Sequence, residues 1–324
     1  MSLWIPKTHQ RQEALQYIDA RRKGLITSFI TPWDKINDAT CDGIEWGTVT
    51  VIAARPSNGK SLMKDQLVNE GFLLNKHDVG KIRNLSFSMD MSSLMTGLRE
   101  LSAGTGKSYT ELCSAKGYTM TDQDITACYA CTAANNQFPC DVVDDSPSVD
   151  EFKAAVIDYM ESFPEDVKVI VDVDHMILFK LCEVYKDQTK ALYAVCDAVR
   201  WLKKRYKQRI LFILLNQLLK SADDFERNEN GKLANYPTTG DMFGGDATYQ
   251  LADTVIALKM PWKNGITEYG PDRYIIDAPG IIAGHVMKAR NNNARLSFFA
   301  ADFAHMRMVN MATPGMIQSR SRGK

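Results

Sequence analysis

The residues best suited to chemistry are Ala54-Arg55-Pro56-Ser57-Asn58-Gly59-Lys60-Ser61. Their spacing is that of the phosphate-cradling signature G-x-x-x-x-G-K-[ST], with alanine replacing the first glycine. Gly59 lets the backbone turn its N–H groups inward around a phosphate. Lys60 supplies a point charge for the β and γ phosphates, and the Ser61 hydroxyl can ligate Mg²⁺. Arg55, Pro56, Ser57 and Asn58 complete the cradle, so the expected cofactors are ATP and Mg²⁺. Such a site needs an acid on a later strand. Asp172 ends the apolar run 167–171 and is the expected metal-side carboxylate, while Asp174 shares its face if the strand continues. Asp174 is then either a partner of Asp172 or the start of a loop. Asp90, after the run 85–89, either activates the attacking water or caps the following helix, and position alone does not separate the two. Gln217, after the run 210–215, either senses the γ-phosphate through its amide or caps a loop.

The elements that must hold these residues follow from periodicity. Apolar, partly β-branched runs at 49–54, 85–89, 167–171, 210–215 and 254–258 read as buried strands. Helical segments at 60–74, 90–103, 149–162 and 187–207 alternate with them, which argues for an α/β fold with a mostly parallel central sheet flanked by helices. Beyond residue 280 the rhythm changes to short strands at 281–288, 294–301 and 305–309, an antiparallel meander. An amphipathic helix at 9–22 precedes the domain and is broken by Gly24. Two stretches, 222–248 and 262–280, read as long loops, the kind that carry function or are mobile.

Composition sets the outer bounds. With 324 residues, 45% hydrophobic and 24% charged, the chain can bury a large core, most simply one α/β domain with insertions. No apolar stretch approaches the roughly 20 residues of a membrane span, and the polar start argues against a secretory signal. Seven cysteines without framework spacing fit a reducing compartment. Lys plus Arg and Asp plus Glu both number 39, so a nucleic acid would have to meet a local patch. Candidates are Lys203, Lys204, Arg205, Lys207 and Arg209, the lone Lys220, and the tail Arg320, Arg322, Lys324; the plainer reading of such runs is a solvated face. Cys113, Cys128, Cys131 and Cys140 allow a four-sulfur zinc site, against which stands a helix at 121–137 with cysteines as small hydrophobes. His175 either contacts phosphate or is an ordinary surface histidine.

The order of motifs resembles the C-terminal, RecA-like P-loop motor domain of DnaB-type replicative helicases over about 24–310. Thr27-Ser28-Phe29 with Trp33-Asp34 is similar to T-G-F-x-x-L-D, and Gly43 to Gly47 to G-L-x-P-G. Residues 53–61 resemble A-A-R-P-S-M-G-K-T, which accounts for the alanine, and 86–92 resemble F-F-S-L-E-M-S. Val142 to Pro147 look like I-x-I-D-D-T-P, Leu215 to Leu218 like L-S-Q-L, Gly240 to Asp253 like S-D-L-R-x-S-G-x-I-E-Q-D-A-D, and Lys288 to Asn291 like K-x-R-N.

The resemblance implies a hexameric ring with ATP between subunits, moving 5′→3′ on single-stranded DNA in replication. Lys60, Ser61 and Asp172 would come from one subunit, and Lys288 and Arg290 from the next, the arginine-finger arrangement. The alternative reading of Arg290 is an ordinary turn residue in a hairpin. Channel loops would fall within 180–189 and 221–239, making Lys220, Lys232 and, less favourably, Arg227 the nucleic-acid candidates. Primase or a helicase loader are the partners it implies, with no membrane, in the cytoplasm of a bacterium or phage-infected host. Residues 1–23 would be a linker helix docking on a neighbouring subunit, 24–310 the motor and 311–324 a flexible basic tail. Because the chain starts where the family's linker helix would lie, the resemblance leads one to expect a motor without the family's N-terminal collar, as a streamlined bacteriophage or mobile element would encode. The family's catalytic glutamate is Asp90 here, one methylene shorter, which predicts slow turnover; its arginine and two glutamates in the later motif are Phe243, Gly244 and Tyr249. The alternative function is an ATP-binding RecA-like regulator or loader that oligomerises and unwinds little.

Overall fold

The computed structural model describes residues 4–115, 120–182, 186–290, 293 and 295–316. In chain order its elements are α1 (Lys7–Arg22), α2 (Asp34–Ala39), β1 (Val49–Ala54), α3 (Lys60–Leu74), β2 (Ile82–Ser88), α4 (Ser93–Thr105), α5 (Tyr109–Cys113), α6 (Asp122–Asn135), β3 (Cys140–Val143), α7 (Val149–Glu161) and β4 (Lys168–Asp174). They continue with α8 (Gln188–Tyr206), β5 (Ile210–Gln217), α9 (Gly245–Leu251), β6 (Thr254–Lys259), β7 (Glu268–Tyr269), β8 (Tyr274–Ile275), β9 (Ile281–Ala289), β10 (Arg295–Asp302) and β11 (Arg307–Asn310).

Nine strands form one sheet in the order β11-β10-β9-β6-β1-β5-β4-β2-β3. The six from β6 to β3 run parallel, and β9, β10 and β11 extend the sheet antiparallel, as the change of rhythm past residue 280 predicts. Strand alternation assigns side chains to the two faces. Val169, Val171 and Val173 of β4 enter the core beneath α7 and α8, while Ile170 enters the core beneath α3. Asp172 and Asp174 therefore share the α3 face. Helix α7 starts where Ser148 and Glu151 form a capping box, and its Val149, Phe152, Val156 and Met160 recur at three- or four-residue spacing to make its buried stripe.

Several expectations shift. The helix expected from residue 90 begins at Ser93, because Ser92 is its cap and accepts from Met95 N. The edge strand β3 was not anticipated: it is short and mostly exposed, without an apolar run to mark it. The stretch 262–280 is built rather than loose. The β7–β8 hairpin sits over a small core of Ile266, Tyr269, Ile276, Ile281, Ala283 and Phe298. The stretch 222–248 is likewise pinned, by the Arg227–Asp241 pair and by Asn235, whose Nδ2 donates to Arg227 O and Glu229 O, and it ends in α9.

Helix α1 buries none of its residues; Leu15 and Ile18 stay exposed. Its C-terminal half meets the domain where Tyr17 bonds Glu45 (3.1 Å) and Arg21 bonds Ser28 (2.9 Å) and Cys41 O (3.1 Å). No helix among the described residues is long and apolar enough to cross a membrane.

Candidate nucleotide site

β1 ends at Ala54, mid-sheet, and α3 opens at Lys60, so residues 55–59 form a tight turn at the C-terminal edge of the parallel strands. Such edges, with a helix N-terminus facing them, are where open α/β sheets bind phosphates. Gly59 adopts φ +88°, and a Cβ there would lie 2.9 Å from Ile282 Cδ1 and 3.1 Å from Met308 Cε. Pro56, Ser57, Gly59, Lys60 and Ser61 line a cavity of about 1010 Å³, and Asp90, Gln217 and His175 line it too. Residues from four separate strand ends thus converge on one space.

Two cradle residues turn elsewhere. Arg55 donates to Asp223 (2.6 Å) and to Leu218 O (3.0 Å), tying the loop to the segment after β5. Asn58 donates to Pro56 O (3.0 Å) and accepts from Met260 N (2.8 Å). Both brace the loop instead of facing the cavity. Asp223, Leu218 and Met260 lie far off in sequence, so the local motif could not show it.

The acids separate by depth. Asp172, 1% exposed, is taken up by Lys64 (3.3 Å), Ser86 (2.8 Å) and Asn84 (2.7 Å), below the level of the phosphate loop. Asp174, the last residue of β4, lies 3.5 Å from Lys60 Nζ, with the Ser61 hydroxyl beside it. The carboxylate beside Lys60 and Ser61 is therefore Asp174 and not the expected Asp172. The strand runs three residues past its apolar stretch, and that moves its functional end. Burial pushes the Asp174 pKa up, but Lys64, Lys60 and the Ser61 hydroxyl together outweigh it and hold the carboxyl below its ordinary value. Burial likewise opposes the charge on Lys64, yet Asp65 (2.7 Å), Asp172 and Asp174 raise its pKa well above normal.

Asp174 Oδ1 is buried and accepts no hydrogen bond. An orphaned carboxylate oxygen beside Ser61 and Lys60 is a set that fits Mg²⁺ with its water shell and a bound triphosphate. Asp90 is free of capping duty, since Ser92 caps α4. His175 is 7% exposed, not a surface residue; burial and Lys60 depress its pKa, against the opposing pull of Asp174 and Asp90.

Lys288 and Arg290 lie elsewhere. β9 runs antiparallel to β6, with Ala289 opposite Thr254, and Thr254 opposite Thr50 near the start of β1. Lys60 follows the far end of β1, so roughly 15 Å of strand separates the two levels. Arg290 is exposed and pairs with Asp253 (3.1 Å), which also receives Lys203 and Val49 N (2.9 Å). Lys288 donates to Tyr249 O (2.7 Å) and lies over the Tyr249 ring, so the residue replacing a family glutamate now seats this lysine. Gly244, another replacement, adopts φ +70°, and a Cβ there would meet Leu192 Cδ2 at 1.9 Å. Asn291 and Asn292, and the tail Arg320, Arg322 and Lys324, lie outside the described residues, as do 183–185 of the first expected channel loop.

Of the nucleic-acid candidates, Lys220 is exposed and Lys232 is half-exposed beside Glu229 (2.6 Å). Arg227 is a brace: it grips both oxygens of Asp241 and reaches the carbonyls of Ser221 and Tyr236. The run 203–209 is largely engaged too, Lys203 with Asp253, Arg205 with Glu161 (2.6 Å) and Arg209 with Pro164 O (2.9 Å). The cysteines are free, and no cluster of three metal-ligating side chains occurs among the described residues. Sequence reading missed Lys64 and the cavity-lining Arg99, Trp262 and Lys263. Lys263 donates to Ser57 O (2.6 Å), closing the 262–280 segment over the phosphate loop. A lysine one turn beyond Lys60, on the same helix face, was the available signal for Lys64.

A phosphate loop between a central parallel strand and its helix, in a sheet extended by antiparallel strands, defines a RecA-like P-loop domain. The family model for the DnaB-like helicase C terminal domain matches residues 29–297, and the chain belongs to that family. Among solved structures, a DnaB-like replicative helicase described with its interactions with primase superposes with TM-score 0.72 at 16% identity, over 89% of this chain and 64% of that one. The chain thus spans under two thirds of that helicase. A second solved structure, described as an ATPase domain, superposes with TM-score 0.75 at 16% identity, over 93% of this chain and 98% of that domain. A KaiC-like protein from Pyrococcus horikoshii gives TM-score 0.54 at 11% identity, over 89% and 100%. These likenesses are of fold. A search of curated proteins finds no match.

Proposed function

We propose that the chain is the ATP-hydrolysing motor of a ring-shaped DNA helicase that moves 5′→3′ along single-stranded DNA in replication. The supporting observation is a division of labour: Lys60, Ser61, Asp174, Asp90 and Gln217 gather at one end of the sheet, while Lys288 and Arg290 sit at the other. A protomer cannot bring both ends to one nucleotide, but a neighbour can.

Lys60 holds the β and γ phosphates, with Ser61 and Asp174 as the groups that would hold Mg²⁺. When bound, the ion supplies charge neutralisation on the phosphate oxygens. Asp90 accepts a proton from the attacking water, and the Gln217 amide faces the γ-phosphate. Lys288 and Arg290 of the adjacent subunit neutralise charge on the transferring phosphoryl, a contribution of about 10³–10⁵ in rate in related systems. Because Asp90 is a methylene shorter than the family glutamate and 1 Å of misplacement can cost on the order of 10²-fold, slow turnover is expected. Helix α1 docks on the neighbour through its exposed Leu15 and Ile18, and Lys220 and Lys232 meet DNA phosphates. Primase or a loader are the partners this reading implies, and its setting is the cytoplasm.

ATP hydrolysis with and without single-stranded DNA, for the unchanged protein and Arg290→Ala, tests the proposal. Stimulation by DNA that disappears in the variant while ATP still binds is expected. Basal turnover indifferent to both would favour a second reading, an ATP-binding regulator or loader, for which the short Asp90 is the favouring observation.

A further inference from the structure

The wall of the nucleotide cavity contains one buried polar ring with no part in the scheme above. His175 follows Asp174 and lines the cavity beside Gln217 and Asp90, at the ends of the neighbouring strands β4 and β5, with the Gln217 amide near enough to oppose the fall in its pKa. Its Nδ1 is buried without a partner, which leaves Nε2 as the ring nitrogen free to meet the Gln217 amide. The backbone that carries the ring is fixed: Leu178 N donates to His175 O (2.9 Å), and Met176 N donates to Leu215 O (3.1 Å) on the strand that carries Gln217. Gln217 itself has a fixed main chain, its N donating to Asn216 Oδ1 (2.8 Å) and its O accepting from Phe243 N (2.8 Å). What the main chain leaves free is the side-chain torsions and the orientation of the amide, and the imidazole restricts both.

We propose that His175 is a positioning residue that fixes the Gln217 amide against the γ-phosphate and the water attacking it. This rests on the reading of the cavity as an ATPase site. A short general base makes the demand sharper: with Asp90 one methylene back, the water's place depends more on the amide opposite it. His175 touches no reacting atom in this scheme and acts through Gln217.

The test uses the full chain with ATP, Mg²⁺ and single-stranded DNA, and measures kcat and KM for His175→Phe, His175→Gln, Gln217→Ala and the double variant His175→Phe/Gln217→Ala. His175→Phe keeps an aromatic ring in place and removes the polar contact; kcat should fall about 10–100-fold with KM for ATP within about twofold. His175→Gln, whose amide nitrogen can occupy the Nε2 position, should recover most of the loss. The double variant should be no slower than Gln217→Ala, since residues acting as a unit are not additive. His175→Phe turning over like the unchanged protein, His175→Gln as slow as His175→Phe, or losses that multiply in the double variant would each overturn the proposal. An unchanged protein that hydrolyses no ATP would overturn the ATPase reading itself, and the role of His175 with it.

Discussion

Asp172 and Asp174 lie on one face of β4 yet meet different partners, Lys64, Asn84 and Ser86 for the first, Lys60 and Ser61 for the second. Their replacements should fail differently. Asp174→Asn should keep the fold and lose Mg²⁺-dependent nucleotide binding by on the order of 10²-fold, read by titration of a fluorescent ATP analogue. Asp172→Asn strips a buried lysine of one counter-charge and should cost on the order of 3 kcal/mol, read by urea denaturation, with less effect on Mg²⁺ dependence. A second residue-scale prediction concerns His285, buried against Tyr269 (2.8 Å) and pushed down to about 3 by burial and by Lys259. Above its ordinary value of 6.5 the ring is neutral whether folded or not. Below it the unfolded chain takes a proton that the folded protein refuses, so each pH unit down towards 3 removes about 1.4 kcal/mol of stability. Denaturation midpoints should therefore drop between pH 6.5 and 4, and less steeply in His285→Gln. At this scale the sequence showed contiguous chemistry well. Gly59, Lys60 and Ser61 are legible because their neighbours in sequence are their neighbours in space. Arg227 was not, because its partner Asp241 lies 14 residues on, and nothing local distinguishes a brace from a DNA contact.

Strands and long helices were legible to within a few residues, since apolar runs and three- or four-residue spacing are what burial demands. The segments 222–248 and 262–280 were not. Their order comes from polar side chains bonding backbone, such as Asn235 and Asn228, and from a six-residue core assembled across three elements; neither leaves a periodic trace. A contrast between two cations of this region follows. Lys220→Ala should weaken single-stranded DNA binding and lower the slope of log K against log salt by about 0.7. Arg227→Ala should instead raise amide hydrogen exchange across 220–241, because it leaves Asp241 buried without its guanidinium.

For the whole molecule, the separation of Lys60 from Arg290 along the strands makes complementation the informative measurement. Lys60→Ala and Arg290→Ala should each be inactive alone. Mixed before assembly, they should regain activity at on the order of a quarter of the interfaces, where an intact loop meets an intact finger. No recovery would argue against sites shared between subunits. Only the resemblance to a family gave the ring a place in the sequence reading, because a chain's own composition does not record which of its surfaces meets a copy of itself.

The same geometry governs how the protein responds to dilution. With Arg290 lent by a neighbour, as proposed, nucleotide capture would need one chain and phosphoryl transfer two, so the first should be unimolecular in protein and the second cooperative. Turnover per chain should then climb as more protein is added, and a thinly diluted sample should hold its ATP without consuming it.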